Sequence, residues 1–243
     1  SLYFTSDYMK YNWFIRPNAE AQIMERVSKV VYAIGDTKDQ TLPKVNYCSV
    51  KFQMPDDTRD LYERMKRHMV VGDVEAANAA VQSGKLRQIA SGFLYYEDED
   101  TDVLDVARLD AANKWLCSAT HDKAIIFYEF VAQLGQLQER FGKISTTDIE
   151  EFKAGNTQVL LAQINSLSHG IDGLQDVCSN MLFYHPMWSR DATQQAIGRL
   201  HRTGQKYEIN VTTLVCENTL DDLVMQRVED RGEWMKLFMK HLK

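Results

Sequence analysis

Four short apolar runs in the second half of the chain constrain its fold most strongly. Each has strand length and β-branched or aromatic content: Ala124–Tyr128 (AIIFY), Val159–Ile164 (VLLAQI), Asn180–Tyr184 (NMLFY) and Ile209–Val215 (INVTTLV). Runs that are apolar throughout belong in a sheet covered on both faces. Helical patterns lie between or after them, over residues 130–141, 147–153, 191–201 and 220–242. This alternation predicts an α/β fold: an open parallel sheet with helices on both faces.

The first half has a different pattern. Apolar residues recur at three- and four-residue spacing over 18–31 and 56–69, which indicates amphipathic helices, and a third helix is predicted over 74–89. The segment LPKVNYCSVKF between the first two is typical of a strand or an extended connector. We therefore predict a mainly helical connector subdomain over residues 1–103 and an α/β domain over residues 104–243.

Composition excludes some classes of function. The formal net charge of -6 argues against a protein that coats nucleic acid through bulk positive charge, so any DNA contact must be local. The longest apolar stretch, AIIFYEFVAQL, contains a glutamate and is too short to cross a bilayer. The four cysteines lie far apart and predict buried thiols in a reducing compartment: Cys48, Cys117, Cys178 and Cys216. We expect an intracellular protein without membrane contact.

The stretch Gln194–Gln205 (QQAIGRLHRTGQ) is the first candidate site. On a helix, Gln195, Arg199 and Arg202 are related by steps of four and three, so they share one face. The apolar residues Ala196, Ile197 and Leu200 then point into the core. A rigidly spaced pair of arginines suits phosphate oxygens that gain charge during phosphoryl transfer. The alternative for such a pair is a solvated helix face.

The loop NSLSHGIDGLQ after the second run is another candidate. Its hydroxyl residues Ser166 and Ser168 and its glycines Gly170 and Gly173 can hold a phosphate, or they can form a tight strand-to-helix turn. Ligands of open α/β sheets lie at the carboxyl ends of the strands. We expect this loop, the segment HPMWSR and the stretch Gln194–Gln205 to face that edge together. The nearby histidines show no metal-ligand spacing, so no metal site is predicted.

Known phosphate-binding loops are missing from the sequence. It contains neither G-x-x-x-x-G-K-[ST] nor a G-x-G-x-x-G fingerprint after a strand. The chain therefore supplies at most half of a nucleoside triphosphate site.

Three segments in order, KAIIFYEF, SLSHGIDGLQ and LFYHPMWSRDATQQAIGRLHRTGQ, resemble motifs IV, V and VI of superfamily-two helicases, specifically the Swi/Snf-type DNA translocases. The last motif of that family is close to Q-x-x-x-R-x-H-R-x-G-Q. It is matched in register by Gln195, Arg199, His201, Arg202, Gly204 and Gln205. Upstream, the segment from Leu42 resembles the connector between the two RecA-like lobes, and KLRQIASG resembles the helix after it. Bacteriophage or bacterial members are the most similar, which implies a cytoplasmic protein of bacteria or of phage-infected cells.

The resemblance implies the second, C-terminal RecA-like lobe of a larger ATP-dependent DNA helicase or translocase. ATP and Mg²⁺ would be bound mainly by a first lobe absent from this chain, so the chain alone is predicted to be inactive. Its DNA partner is predicted to be double-stranded and bound independently of sequence. Residues 1–40 would be the end of the first lobe.

Site roles follow from the same resemblance. Arg199 and Arg202 would be arginine fingers that reach ATP on the first lobe, with Gln195 orienting either them or the surroundings of the attacking water. The resemblance implies nucleotide binding by Gly170, Asp172 and Gly173. It implies DNA binding by Ser166, Ser168, His169, Trp188 and Gln205. Three residues depart from the family pattern: His185 replaces an acid in D-P-x-W-N, Gln175 replaces an asparagine, and Asp172 places an acid in the glycine loop.

Two other classes of protein remain open at this point. One is a non-catalytic nucleic-acid or protein-binding module with a helicase-like fold. The other is an unrelated α/β enzyme, such as a transferase, whose arginines bind a phosphorylated substrate. A phosphate loop upstream of this chain would favour the motor over both.

Overall fold

The computed structural model describes residues 2–9, 11–27, 42–96, 101–118, 123–164 and 172–226. Contacts group the chain into two compact units, one formed by Ser1–Thr41 with Asp230–Lys243 and the other by Leu42–Glu229. The predicted division between residues 103 and 104 rests on sequence pattern and stays a prediction.

The first unit begins with a short antiparallel hairpin and continues into a helix. Strand β1 (Phe4–Ser6) pairs with β2 (Trp13–Ile15), and helix α1 (Ala19–Val27) follows. Helix α1 confirms the first predicted helix up to residue 27, and the remainder of that prediction, 28–31, lies outside the described residues. The hairpin was not predicted, because strands of three residues show no measurable periodicity.

Among the described residues, the second unit is built on one parallel sheet of six strands. Its elements are, in order, β3 (Val45–Phe52), α2 (Asp56–His68), β4 (Val70–Val71), β5 (Val74–Glu75), α3 (Ala79–Ile89), β6 (Phe93–Tyr95), β7 (Thr101–Val103), α4 (Ala107–Ser118), β8 (Ala124–Tyr128), α5 (Val131–Phe141), β9 (Ser145–Thr146), α6 (Ile149–Ala154), β10 (Val159–Gln163), β11 (Asn180–Phe183), α7 (Arg190–Gly198) and β12 (Ile209–Cys216). Another helix covers residues 220–226. The strand order is β3-β12-β11-β8-β10-β9, and each neighbouring pair is parallel. The predicted fold class is confirmed.

Alternate side chains of the central strands enter two different cores. In β8, Ile125 and Phe127 pack on the face covered by α6 and α7. Its other residues, Ala124, Ile126 and Tyr128, pack on the opposite face, which α4 and α5 cover. Burial on both faces is the reason that these strands are apolar at most positions.

The predicted strands are confirmed to within one residue at each end, and the segment LPKVNYCSVKF is a strand, β3, at the edge of the sheet. Helix α3 begins later than predicted, because the Asn78 side chain caps it by accepting hydrogen bonds from the N–H groups of Ala80 and Val81. Helix α4 was missed by the sequence patterns, which predicted no helix between residues 104 and 124. Its buried face includes a charged residue, Arg108, which obscures the helical pattern.

A buried ion pair joins helix α4 to the helix after β12, and its arginine also bonds the end of the connector helix α3. Arg108 Nη2 donates to Asp221 Oδ2 at 2.6 Å, and Arg108 Nη1 donates to the carbonyl of Tyr184 at 2.6 Å. The same guanidinium donates to the carbonyl of Ala90, and Asp221 Oδ2 also accepts from the N–H of Cys216. A buried charge needs such partners, because an unpaired one is expensive to remove from water.

The prediction of buried thiols holds for two of the four cysteines. Cys178 and Cys216 are buried, and burial raises the pKa of Cys178 to about 12. Cys48 and Cys117 are exposed, which corrects the prediction. Cys48 lies on the edge strand β3 and Cys117 in the last turn of α4, and neither element is covered there.

Candidate functional site

Helix α7 leads directly into the candidate arginines. Ser189 begins it by accepting a hydrogen bond from the N–H of Ala192. Its buried residues, Ala196, Ile197 and Leu200, confirm the predicted core-facing stripe. Gln195 is exposed, as the predicted polar face requires. The regular helix ends at Gly198, earlier than predicted, so Arg199 is its C-cap and Arg202 lies in the turns that follow.

The structure corrects the prediction that all three candidate segments face the carboxyl edge of the sheet. The nine residues of α7 rise about 13 Å, which matches the span of the four residues of β11 beside it. The helix therefore returns the chain to the amino edge, where a parallel strand must begin. His201 Nε2 lies 3.0 Å from the carbonyl oxygen of Pro43, just before β3. Trp188 stays at the carboxyl edge with the start of α7.

At the amino edge, the segments that resemble motifs V and VI meet through an ion pair. Arg202 Nη1 lies 3.1 Å from Asp172 Oδ1. Both side chains are accessible, with 41% of Arg202 and 71% of Asp172 exposed. Ion pairs between exposed side chains contribute little to stability, so this contact holds Arg202 weakly and an anion can replace it.

Asp172 and Gly173 form a tight turn that keeps the acid ionised. Asp172 Oδ1 accepts hydrogen bonds from the N–H of Gly173 at 2.9 Å and from Gln175 Nε2 at 3.3 Å. These bonds, followed by the charge of Arg202, lower the pKa of Asp172. Gly173 has φ of 87°, which favours glycine, and a Cβ there would lie 3.1 Å from Lys153 Cε.

Gln205 is buried and its amide is engaged within the chain. Its Nε2 donates to the carbonyl of Cys178, and its Oε1 accepts from the N–H groups of Lys206 and Tyr207. These bonds fix the turn that brings Arg202 toward Asp172. The geometry indicates a structural part for Gln205 in this loop, and the DNA contact predicted for it stays a prediction.

At the carboxyl edge, Trp188 lies beside a nearly buried arginine that sequence reasoning missed. The Arg87 guanidinium lies 5.8 Å from the ring centroids of both Phe130 and Trp188. It also forms a two-pronged ion pair with Glu129, at the end of β8. The only sequence signal for Arg87 was its place within KLRQIASG, the helix that resembles the family connector.

His185, which replaces the family's acid, is buried in a polar network. Its Nε2 contacts Ser91 Oγ at 3.1 Å and the side-chain amide of Gln133. Burial, with the charges of Arg108 and Arg87 nearby, holds the pKa of His185 well below its usual value. The ring is therefore neutral at pH 7, and the substitution exchanges an acid for an uncharged hydrogen-bonding group.

Four predicted site residues lie outside the described residues: Ser166, Ser168, His169 and Gly170. Their predicted roles stay predictions. Where the structure describes the chain, no group of three or more His, Cys, Asp or Glu residues could hold a metal ion. In the same part of the chain, no helix is long and apolar enough to span a membrane.

Comparisons with known proteins agree with this architecture. No model of a known protein family matches the chain. Protein p41 of Acyrthosiphon pisum secondary endosymbiont phage 1 is 25% identical over 210 residues, which are 80% of this chain and 45% of that protein. Chromatin-remodeling ATPase INO80 of Mus musculus is 24% identical over 89 residues, which are 37% of this chain and 6% of that protein.

A solved structure has the same fold. The C-terminal part of the Fun30 ATPase domain matches with a TM-score of 0.55 at 14% identity, covering 76% of this chain and 89% of that chain. The chain resembles the C-terminal lobe of a Swi/Snf-type ATPase. The resemblance predicted from the sequence and the RecA-like α/β fold are thereby confirmed. Because the chain spans less than half of p41 and a small part of INO80, the activity of a whole protein is a matter for proposal.

Proposed function

We propose that this chain is the C-terminal motor lobe of an ATP-dependent DNA translocase. The substrate ATP, with Mg²⁺, binds mainly to a first lobe, and Arg199 and Arg202 complete the site when the lobes close. Charge that develops on the γ-phosphate is then stabilised only in the closed state, which couples hydrolysis to lobe movement.

The observation that carries the proposal is the Arg202–Asp172 contact. It joins the two segments that resemble motifs V and VI, and it leaves the Arg202 guanidinium accessible at the surface. An arginine keeps its charge at any working pH, so exchange of a carboxylate for phosphate oxygens needs no proton transfer. Asp172 orients the arginine before closure, and Gly173, with Gly170, shapes the loop that presents it.

DNA contact is the second part of the proposal. Trp188 at the carboxyl edge, together with Ser166, Ser168 and His169 of the motif V loop, contacts the backbone of duplex DNA independently of sequence. Support comes from the exposure of Trp188, of which 41% is accessible. Since the net charge of the chain is -6, binding must depend on local groups, and we expect its affinity to fall as salt rises where phosphates are contacted.

ATP hydrolysis and DNA binding test the proposal together. The 243-residue chain alone should not hydrolyse ATP, whereas a longer polypeptide that includes the first lobe should show DNA-stimulated turnover. Turnover by the pure chain would contradict a half-site. A longer polypeptide without ATPase activity, but with DNA binding, would favour the non-catalytic binding module.

A further inference from the structure

A nearly buried arginine on the connector helix α3 lies at the centre of the carboxyl edge. Only 8% of the Arg87 side chain is exposed. Its neighbours Leu86 and Ile89 are buried in the connector core, so the helix that carries it is firmly packed. An arginine is rarely buried to this extent without a charged partner and a fixed geometry for its donors.

The guanidinium of Arg87 joins three segments that are distant in sequence. Its two terminal nitrogens pair with the two carboxylate oxygens of Glu129, directly after β8. One of them also lies 3.5 Å from the carbonyl of Pro186, in the loop between β11 and α7. The ring of Trp188, in that same loop, lies within cation–π distance.

A second link connects the end of α3 to the same loop. Ser91 Oγ donates to the carbonyl of Arg87 at 2.6 Å and contacts His185 Nε2 at 3.1 Å. Residues 185–188 are thus held at His185 by Ser91 and at Trp188 by Arg87. The connector helix therefore fixes both ends of the short segment that leads into α7.

We propose that Arg87 is a positioning residue that holds Trp188 in the orientation in which it contacts DNA. This inference rests on the proposed function, because that function gives Trp188 its DNA contact. Arg87 itself is no DNA ligand: it is nearly buried, its terminal nitrogens are engaged by Glu129, and the two charges cancel. Its effect on DNA is exerted through the indole ring.

The expected size of the effect follows from the cost of ordering a side chain. Fixing one large side chain on binding costs about 0.5–1.5 kcal/mol, so releasing Trp188 from Arg87 should weaken DNA binding about two- to thirteen-fold. Because no phosphate contact is lost, the slope of log affinity against log salt should not change.

The test uses the full 243-residue chain and a short duplex DNA. Arg87→Lys keeps the positive charge but loses the planar guanidinium that forms two hydrogen bonds to Glu129. Glu129→Gln weakens the same ion pair by removing the charge of the carboxylate. The matched control is Arg67→Lys, because Arg67 is 70% exposed on α2 and, among the described residues, pairs with Glu63 of the same helix. DNA affinity is measured at two salt concentrations, with and without Trp188→Ala.

Acrylamide quenching of tryptophan fluorescence gives a readout that does not depend on DNA. The chain has four tryptophans, so the signal of Trp188 is taken as the difference between each variant and its Trp188→Phe counterpart. We expect Arg87→Lys and Glu129→Gln to make Trp188 easier to quench and to weaken DNA binding. In the Trp188→Ala background, Arg87→Lys should cause no further loss.

Two results would overturn the inference. One is unchanged quenching of Trp188 in both Arg87→Lys and Glu129→Gln. The other is a loss of DNA affinity on Arg87→Lys that is equal in the wild-type and Trp188→Ala backgrounds. If the wild-type chain fails to bind DNA while quenching rises as expected, Arg87 still orders the indole. In that case the DNA contact of the proposed function is refuted, and with it the purpose assigned to Arg87.

Discussion

Breaking the buried Arg108–Asp221 pair should be far more costly than breaking an ion pair at the surface. The side chains are 1% and 2% exposed, and Asp221→Asn would leave the guanidinium charge without its counter-charge. Removal of one partner from a buried pair costs about 3–5 kcal/mol. Domains have total stabilities of about 5–15 kcal/mol, so Asp221→Asn should remove a large share of the unfolding free energy.

Urea unfolding, followed by circular dichroism, measures this difference. The control is Asp110→Asn, which breaks a pair of the same 2.6 Å length with Arg140, but with side chains 48% and 30% exposed. That variant should lose no more than about 1 kcal/mol. In the double variant Arg108→Met with Asp221→Leu, much of the stability should return, because no buried charge is left unpaired. A loss below 1 kcal/mol in Asp221→Asn would refute the argument from burial.

Three further predictions concern single residues of the candidate site. Because the folded pKa of His185 lies below its usual 6.5, the unfolded chain binds the proton first, and stability is lost as pH falls below about 6.5, by up to ~1.4 kcal/mol per pH unit. Urea unfolding across that pH range should show that the unfolding free energy falls less with pH in His185→Gln than in the wild type. Equal slopes would contradict burial of a neutral His185 ring. Gly173→Ala should cost about 1–2 kcal/mol in unfolding free energy through its positive φ, whereas Gly84→Ala, in open space on α3, should stabilise the chain. Gln205→Ala should cost about 1–3 kcal/mol in the same assay, since it leaves the buried carbonyl of Cys178 unpaired; unchanged stability with weaker DNA binding would instead make Gln205 a DNA contact.

Sequence periodicity was sufficient to predict the strands of the central sheet. The strands β8, β10, β11 and β12 are apolar at nearly every position because both of their faces are buried. Short apolar runs of this length, bounded by turn signals, have few alternatives to a buried strand. The short strand β9, of two residues, carries no such signal, and its place at the sheet edge depends on pairing with β10.

Long-range contacts could not be predicted from the same signals. Arg108 and Asp221 are far apart in sequence, and each separately has the appearance of a surface charge. The same holds for Arg87 and Glu129, which only the folded chain brings together. Charged residues that are buried in pairs contradict the rule that charges are exposed, so residue type alone misplaces them.

The sequence resemblance named candidate site residues, but it did not predict their layout. The sequence resemblance selected Arg202 and Asp172, and the structure brings them within 3.1 Å of each other. The prediction that the three candidate segments share one edge was wrong because it did not recognise α7 as the crossover helix between β11 and β12. A helix that joins two parallel strands must carry its last residues to the opposite edge.

The most direct test of the motor proposal is the ATPase activity of the longer polypeptide that includes the first lobe. The change is Arg202→Ala, with Arg67→Ala as the control for removal of a distant, exposed positive charge. An arginine finger contributes on the order of 10³ or more to turnover, so Arg202→Ala should lower DNA-stimulated kcat by that factor while DNA binding is retained. A kcat equal to that of the Arg67→Ala control would show that Arg202 belongs to a solvated helix face and not to an ATP site.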